Sequence, residues 1–163
     1  MVKEVVGDLD CKIFFEPGRL IAGNAGILVT RVVRVKKGTA RTFIIVDAAM
    51  NDLVRPTLYN AHHAIVPVNE APDGAKLTEV EVVGPICETG DTFATNRDCP
   101  ALVAGDLAVF RTAGAYGATM ASSYNSRGFV AETLVDGDRY AVVADRIAAD
   151  AIMDAERVPD WLT

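Results

Sequence analysis

The chain has 163 residues, half of them hydrophobic, and a formal net charge of −6 at pH 7. This length and apolar content are enough for one domain with a buried core, and they exclude a disordered chain. The acidic balance argues against a nucleic-acid partner, because no basic cluster is longer than Lys36–Lys37. No apolar run approaches the ~20 residues that a membrane span requires, so we expect no contact with a membrane.

The cysteines and the first residues indicate a cytoplasmic protein. Cys11, Cys87 and Cys99 form an odd set without repeated spacing, which is typical of free thiols in a reducing compartment. No CxxC or Cys/His spacing predicts a metal site. The N-terminus lacks the apolar core and cleavage site of a secretory signal. We therefore expect a cytoplasmic location and no bound metal.

The first 26 residues predict the end of an α/β unit. Val2, Val5 and Val6 are typical of the last turn of a helix, and residues 11–15 predict a short buried strand. The turn at residues 16–19, followed by a helical segment at residues 20–24, would direct N–H groups and a guanidinium toward an anion. An ordinary strand–turn–helix connection is the simpler alternative. Because a domain rarely opens on the end of a helix, we expect the chain to begin inside a larger architecture.

From residue 27 onward the pattern is mainly β. Strands are predicted at residues 27–35, 42–46, 64–68, 77–83, 107–110, 129–134 and 140–144. The first two predict an antiparallel hairpin, and the Asp136-Gly137-Asp138 turn predicts a closing one. Short helices are predicted at residues 51–58, 118–124 and 147–155, the first of them interrupted by Pro56. The polar residues 91–98 predict no strand. The predicted fold is an antiparallel β-barrel or sandwich with short inserted helices.

The stretch GPICETGD, residues 84–91, places a thiol beside a carboxylate. Glycines and Pro85 predict a shaped loop at the end of a strand, which would present Cys87 and Glu88 together. Such a pair can move protons and bind an ammonium group. On its own, a single Cys–Glu pair is more often incidental than catalytic.

Two further stretches carry candidate side chains. Arg55 and Tyr59 lie four residues apart and would share one face of a helical turn, which suits bidentate recognition of a carboxylate. A surface arginine packed on a tyrosine is the simpler alternative. The adjacent His62 and His63 are a poor metal pair and are interpreted as structural. Glycines on both sides of Tyr116 predict an aimed side chain.

Four motifs occur together in a specific order and spacing: EPGR at residues 16–19, RPTLY at 55–59, GPICETGD at 84–91, and GAYGATMASSYNSR at 114–127. With them, the chain resembles the C-terminal part of the diaminopimelate decarboxylases. These are pyridoxal-phosphate enzymes of the fold-type III group, which also holds ornithine decarboxylase and alanine racemase. The resemblance implies an alanine racemase C-terminal-like β domain at residues 27–163. It implies that residues 1–26 are the last strand and helix of the cofactor-binding (β/α)8 barrel.

The resemblance also implies roles for individual residues. The cofactor phosphate would be held by the backbone of Glu16, Pro17, Gly18 and Arg19. The substrate would be bound by the side chains of Arg19, Arg55, Tyr59, Glu88 and Tyr116. Tyr116 would also contact the cofactor, and Cys87 would give a proton to the carbanion left by decarboxylation. In a homodimer, Cys87 and Glu88 would reach the site of the partner subunit.

These roles agree with the chemistry of the reaction. The cofactor is an electron sink, and the protein must then deliver a proton, which a thiol can do. A substrate with an amino-acid group at each end needs a cationic and an anionic clamp at its unreacting end. Arg19, Arg55 and Glu88 carry the charges for these clamps.

One departure concerns the cofactor-linking lysine. The lysines of the chain are Lys3, Lys12, Lys36, Lys37 and Lys76, and none matches the family's lysine context. The glycine-rich phosphate loop is missing as well. We therefore expect a C-terminal piece, inactive alone, of a parent enzyme that decarboxylates meso-2,6-diaminopimelate to L-lysine. Two alternatives stay open: a decarboxylase of ornithine, arginine or a carboxylated polyamine, or a non-catalytic β module for association. Arg55 favours a substrate with a distal carboxylate.

Overall fold

The structure, a computed structural model, describes the backbone of residues 2–162 and the side chains of residues 4–162. The α-helices of this part are short: α1 (Val2–Val6), α2 (Arg55–Tyr59) and α3 (Ala149–Met153). The strands are β1 (Leu28–Lys37), β2 (Thr42–Val46), β3 (Ile65–Pro67), β4 (Leu77–Val83), β5 (Thr92–Pro100), β6 (Leu107–Phe110), β7 (Glu132–Asp136) and β8 (Arg139–Ala144). Short 3₁₀ helices lie at Gly18–Leu20, Gly23–Ala25, Ala118–Met120, Tyr124–Ser126 and Asp160–Leu162.

Six strands form one sheet in the order β3-β6-β1-β2-β4-β5. The sheet curls until its edge strands β3 and β5 come close to each other. Arg97 on β5 donates to the carbonyl of His63, just before β3, at 2.9 Å. The result is a nearly closed barrel, which confirms the mainly β prediction. Neighbouring strands are antiparallel except β2 and β4, which run parallel because the chain crosses through α2 and β3 between them.

The interior of this barrel is the apolar core. β-Branched residues dominate the strands, and their alternating side chains point inward. The buried side chains that line it include Val32, Ile44, Val46, Val82, Phe93 and Phe110. The rings of Phe93 and Phe110 are tilted against each other with centroids 4.4 Å apart. Phe110 on β6 has no exposed surface, so this strand directs its ring into the core.

The N-terminal predictions are only partly correct. The helical turn at residues 2–6 is observed as α1. The predicted buried strand at residues 11–15 is wrong, because this stretch is irregular and exposed, with Phe14 86% exposed. The described part of the chain offers these residues no neighbouring strand, and a lone strand cannot satisfy its backbone groups. The predicted helix at residues 20–24 is replaced by the two separate 3₁₀ turns around it.

Two further predictions are corrected by the structure. The helix predicted at residues 51–58 begins later than predicted and is not interrupted by Pro56: α2 begins at Arg55 and holds Pro56 in its first turn, where a missing N–H costs nothing. The polar stretch at residues 91–98 is not a loop but most of β5. Its apolar residues Phe93 and Cys99 are buried, although polar neighbours obscure the alternation.

The last third of the chain lies outside the barrel core. The predicted closing hairpin is confirmed as β7 and β8, whose residues are almost all exposed. The helix predicted at residues 118–124 is reduced to 3₁₀ turns, and α3 occupies only the middle of residues 147–155. Within residues 2–162, no helix has the length and apolar character needed to cross a membrane.

Candidate functional site

The loop of residues 84–91, called the Cys–Glu loop below, connects β4 to β5 and closes on itself. Gly84 N donates to Asp91 O at 2.9 Å, and Asp91 N donates to Glu88 O at 3.0 Å. The side chains of Cys87 and Glu88 are both exposed. The structure thus confirms a shaped loop that presents a thiol and a carboxylate side by side.

The Glu88 carboxylate is oriented by two donors. Gly90 N donates to its Oε1 at 3.2 Å, and the hydroxyl of Tyr124 donates to its Oε2 at 3.4 Å. Tyr124 belongs to the GAYGATMASSYNSR motif but was not singled out from the sequence. The motif therefore carries Tyr116 near its beginning and contacts the Cys–Glu loop through Tyr124 near its end.

Asp91 is the residue of this loop that sequence reasoning missed. Its buried carboxylate accepts hydrogen bonds from Met50 N and Ile86 N, each at 2.7 Å. Burial raises the pKa of Asp91, while these two hydrogen bonds and the charge of Arg127 oppose the rise. A signal was available in the motif itself: a Cβ on Gly84 would overlap the Asp91 carboxylate, so the first and last residues of GPICETGD fit together.

Helix α2 lies beside the Cys–Glu loop and carries the RPTLY motif. Thr57 Oγ1 donates to Gly90 O at 2.5 Å, which joins the helix to the loop. Arg55 is half-buried, and its Nη1 lies 3.3 Å from His63 Nε2. Tyr59, at the last position of α2, is 60% exposed. The helix therefore contacts the Cys–Glu loop through Thr57, and it contacts His63 through Arg55.

His63 is buried and holds Arg55 in place. Its Nδ1 lies 2.9 Å from Arg111 O, and a carbonyl can only accept, so Nδ1 carries the proton. Nε2 is then free to accept from Arg55. Burial lowers the pKa of His63, and the charges of Arg55 and Arg19 lower it further. His63 is therefore neutral at neutral pH, in agreement with its interpretation as structural.

Arg19 brings a second guanidinium to this neighbourhood. It lies on the 3₁₀ turn that follows Pro17, next to Gly18 with φ +53°. Its Nη2 donates to Thr112 O at 3.2 Å, whereas its buried Nε has no partner among the described residues. A buried N–H donor without a partner next to further positive charge suits an anionic oxygen.

Tyr116 lies on a segment that docks against residues 23–26, just after the turn of the EPGR motif. Ala113 N donates to Gly26 O at 2.8 Å, and Gly114 N donates to Gly23 O at 3.1 Å. Tyr116 itself has φ +59°, a conformation that costs free energy for a non-glycine residue, and its side chain is 47% exposed. The aimed side chain at Tyr116 stays a prediction.

The end of the same motif docks on the segment that follows β2. Asn51 and Ser122 exchange two hydrogen bonds, at 3.0 and 3.2 Å. Arg127 Nη2 donates to Asp47 O at 2.8 Å and lies 3.9 Å from the Asp52 carboxylate. Burial raises the pKa of Asp52, and the charge of Arg127 opposes that rise. These contacts hold Tyr124 next to the Cys–Glu loop.

Four of the predicted side chains form two groups. Arg19 and Arg55, whose charges both act on the neutral His63, form a cationic group, and Cys87 with Glu88 forms the second, on the loop that contacts α2 through Thr57. Within residues 4–162, no hydrogen bond or ion pair joins the two groups. The arrangement can bind anionic and cationic ends of a ligand at separate places.

A family described as "Pyridoxal-dependent decarboxylase, C-terminal sheet domain" matches residues 6–114. The chain belongs to this family. The match confirms the resemblance drawn from the four motifs. It crosses residue 26, so the domain boundary predicted there stays a prediction.

Relatives with a named activity cover nearly the whole chain. The diaminopimelate decarboxylase of Zymomonas mobilis is 48% identical over 162 residues, which are 99% of this chain and 38% of that protein. The diaminopimelate decarboxylase of Neisseria meningitidis serogroup B is 52% identical over 145 residues, 89% of this chain and 34% of that protein. This chain thus spans little more than a third of the length of these relatives.

A solved structure shows the same fold. The diaminopimelate decarboxylase of Helicobacter pylori, complexed with L-lysine, superposes with a TM-score of 0.78 and 39% identity. The superposition covers 94% of this chain and 37% of that one. The curled, mainly β sheet is therefore the fold of the family's C-terminal domain.

Proposed function

We propose that this chain is the C-terminal domain of a cytoplasmic diaminopimelate decarboxylase that converts meso-2,6-diaminopimelate to L-lysine. The observation that carries the proposal is the pairing of a cationic group and the Glu88 carboxylate, both next to α2, in a chain 48% identical to the Zymomonas mobilis enzyme. A substrate with an amino-acid group at each end needs clamps of both signs. Residues 27–163 would form the β domain of that enzyme, and residues 1–26 the end of its barrel.

The cationic group fits the carboxylates of such a substrate. Arg55 is held by a neutral acceptor, His63, rather than by a carboxylate, so its charge stays available for a ligand. Arg19 has a buried N–H to offer. Tyr59 is exposed at the end of the same helix as Arg55 and would add a hydroxyl donor. Burial of a clamp like this rejects analogues that lack the carboxylate, because its donors would then be left unpaired.

The residues of the EPGR turn fit the phosphate of pyridoxal 5′-phosphate. Gly18 has φ +53° and open space where a Cβ would lie, so a ligand can approach the backbone of residues 16–19. Arg19 adds its unpartnered Nε, and its Nη2 donates to Thr112 O on the segment that carries Tyr116. When bound, the cofactor would supply an electron sink for decarboxylation. Lys12, Lys36, Lys37 and Lys76 are exposed and none lies within the four motifs, so the linking lysine would come from the barrel.

The Cys–Glu loop would supply the remaining functions. The exposed thiol of Cys87 would deliver a proton after carbon dioxide has left, and Glu88 would bind the distal ammonium group. Both side chains are exposed and have no contact with Arg19 or Arg55 within residues 4–162. This separation supports a homodimer in which the loop of one subunit serves the site of its partner.

A chimera tests the proposed activity. In it, this chain replaces the matching 162 residues of the Zymomonas mobilis enzyme. We expect the chimera to form L-lysine from meso-2,6-diaminopimelate and to act on it in preference to ornithine, arginine or a carboxylated polyamine. Equal or greater activity on ornithine would favour the related decarboxylases. A folded, dimeric chimera without activity on any of these substrates would favour the association module.

Two further arms test the division of the site. The chain alone, mixed with pyridoxal phosphate, is expected to release no carbon dioxide from diaminopimelate. Chimeras carrying Cys87→Ala or Arg55→Ala are each expected to be nearly inactive. Mixing the two, with exchange of subunits, should restore part of the activity, because one hybrid site contains both intact side chains. Absence of any recovery after proven exchange would contradict a site shared between subunits.

A further inference from the structure

Asp91 connects the Cys–Glu loop to the body of the domain through both of its carboxylate oxygens. Oδ2 accepts from Ile86 N, the residue directly before Cys87, at 2.7 Å. Oδ1 accepts from Met50 N, which lies 41 positions away in sequence, also at 2.7 Å. A charged acceptor with two short N–H donors makes hydrogen bonds about twice as strong as neutral ones. The carboxylate therefore links two chain segments that share no strand pairing.

The segment that contains Met50 is itself firmly held. Thr30, a buried residue of β1, donates from Oγ1 to Asp47 Oδ1 at 2.7 Å and accepts from Ala48 N at 3.0 Å. Asp52 accepts from Ala49 N at 2.8 Å. Met50 thus belongs to a stretch fixed to the barrel, and Asp91 extends that support to the loop.

The loop is built around this carboxylate. A Cβ on Gly84 would overlap Asp91, so the glycine leaves the space that the carboxylate occupies. The side chain of Ile86 is 7% exposed and packs inward, whereas the adjacent Cys87 is exposed. Fixing the backbone at Ile86 therefore sets the direction in which Cys87 projects.

We propose that Asp91 is a positioning residue, which sets the orientation of Cys87 and Glu88 by binding the N–H groups of Ile86 and Met50. The consequence for catalysis rests on the roles proposed above for Cys87 and Glu88. The orientation of the loop by Asp91 is independent of those roles. Asp91 acts through the loop and touches no substrate.

NMR of the chain tests this orientation directly. We expect Asp91→Ala to speed hydrogen exchange at the amides of Ile86 and Met50 about tenfold to a hundredfold, the range for lost hydrogen bonds to a charged group. The signals of Cys87 and Glu88 should shift with them. Asp106→Asn is the matched control, because that carboxylate also accepts a backbone N–H, from Val103 at 2.8 Å, in another turn. It should leave all four sites unchanged.

Two milder perturbations separate positioning from a loss of folding. Asp91→Asn keeps one acceptor oxygen and should release one of the two amides. Gly84→Ala keeps the carboxylate but displaces it, and should affect the same amides. In the wild-type chain, protonation of Asp91 should shift the signals of Ile86, Met50 and Cys87 with one common midpoint. The charged groups that act on Asp91 are Arg127, Glu88 and Asp52. In Glu88→Gln, which removes one of these charges, the signals of Ile86, Met50 and Cys87 should still titrate with one common midpoint.

Three results would overturn the proposal. The first is hydrogen exchange at the amides of Ile86 and Met50 that is as slow in Asp91→Ala as in the wild type. The second is a Cys87 signal that does not move while those amides are released. The third, decisive if Asp91→Ala does not fold, is a wild-type titration in which Cys87 does not follow Asp91.

The chimera gives the catalytic readout. Per folded enzyme, Asp91→Asn should lower kcat through Cys87 and raise KM through Glu88, whereas a purely structural role would reduce only the amount of folded enzyme. A change in the NMR signals without a change in kcat or KM would support the positioning role of Asp91 and would refute the roles of Cys87 and Glu88. Unchanged kcat and KM together with unchanged NMR signals would refute the positioning role of Asp91.

Discussion

Replacement of Gly114 by alanine is expected to separate residues 22–26, which follow the EPGR turn, from the segment of Tyr116. The two segments meet at their backbones: a Cβ on Gly114 would overlap Ala22 O and lie 2.6 Å from Gly26 N. Cβ atoms essentially never come within 3.0 Å of a backbone atom. The segments must therefore move apart by about 1 Å, which is enough to break a hydrogen bond.

The cost follows from the hydrogen bonds at this contact. Ala113 N to Gly26 O and Gly114 N to Gly23 O, at 2.8 and 3.1 Å, would both be lost. At about 1 kcal/mol each, the free energy of unfolding should fall by about 2 kcal/mol. For a chain of this size the melting temperature should fall by about 4–8 °C.

Gly23→Ala is the matched control on the same contact. Its Cβ would lie 3.4 Å from Thr112 Cγ2 and 3.6 Å from Arg19 Cβ, which are ordinary contacts. Urea unfolding followed by circular dichroism measures both variants. The reasoning is refuted if Gly114→Ala lies within about 0.5 kcal/mol of the wild type, or if Gly23→Ala is equally destabilised.

Three further predictions concern the core, the buried histidine and the arginine clamp. Phe110→Ala should cost about 3–5 kcal/mol of unfolding free energy because it leaves a cavity in the core, whereas Phe14→Ala, at an 86% exposed position, should cost almost nothing. If both variants lose the same free energy of unfolding, Phe110 does not lie in the core. Because the pKa of His63 is lowered by burial, the unfolded chain binds a proton that the folded one does not, so stability should fall as pH drops below about 6.5, by at most about 1.4 kcal/mol per pH unit. Urea titrations at several pH values should show this slope in the wild type and in His62→Asn but not in His63→Asn; an unchanged slope in His63→Asn would contradict it. In the chimera, Arg55→Gln should raise KM for diaminopimelate far more than Glu79→Gln, an exposed control on β4, and equal KM values would remove Arg55 from the clamp.

Sequence patterns located the strands whose burial is regular and the motifs whose residues are contiguous. β2, β4 and β6 match their predicted bounds because runs of Val, Ile and Phe mark them locally. β5 escaped because its buried residues are interrupted by polar ones. The strand predicted at residues 11–15 is absent because an apolar run does not form a strand without a partner strand.

The candidate site divides in the same way. Cys87, Glu88 and Arg55 lie in recognisable motifs, so a single sequence could propose them. The residues that support them could not be found in this manner, since their partners are distant in the chain. Asp91 binds Met50 41 positions away, and His63 binds Arg111 48 positions away. Those contacts depend on strand pairs of the sheet, β2 with β4 and β3 with β6.

This chain is expected to supply the proton-donating thiol of a diaminopimelate decarboxylase. The rate of L-lysine formation by the chimera, compared between Cys87→Ala and Cys11→Ala, tests this role, because both thiols are exposed and only one lies on the Cys–Glu loop. We predict that Cys87→Ala slows turnover at least about a hundredfold, the usual contribution of a positioned acid, with cofactor binding intact, and that Cys11→Ala has no effect. Near-normal turnover of Cys87→Ala would contradict the claim.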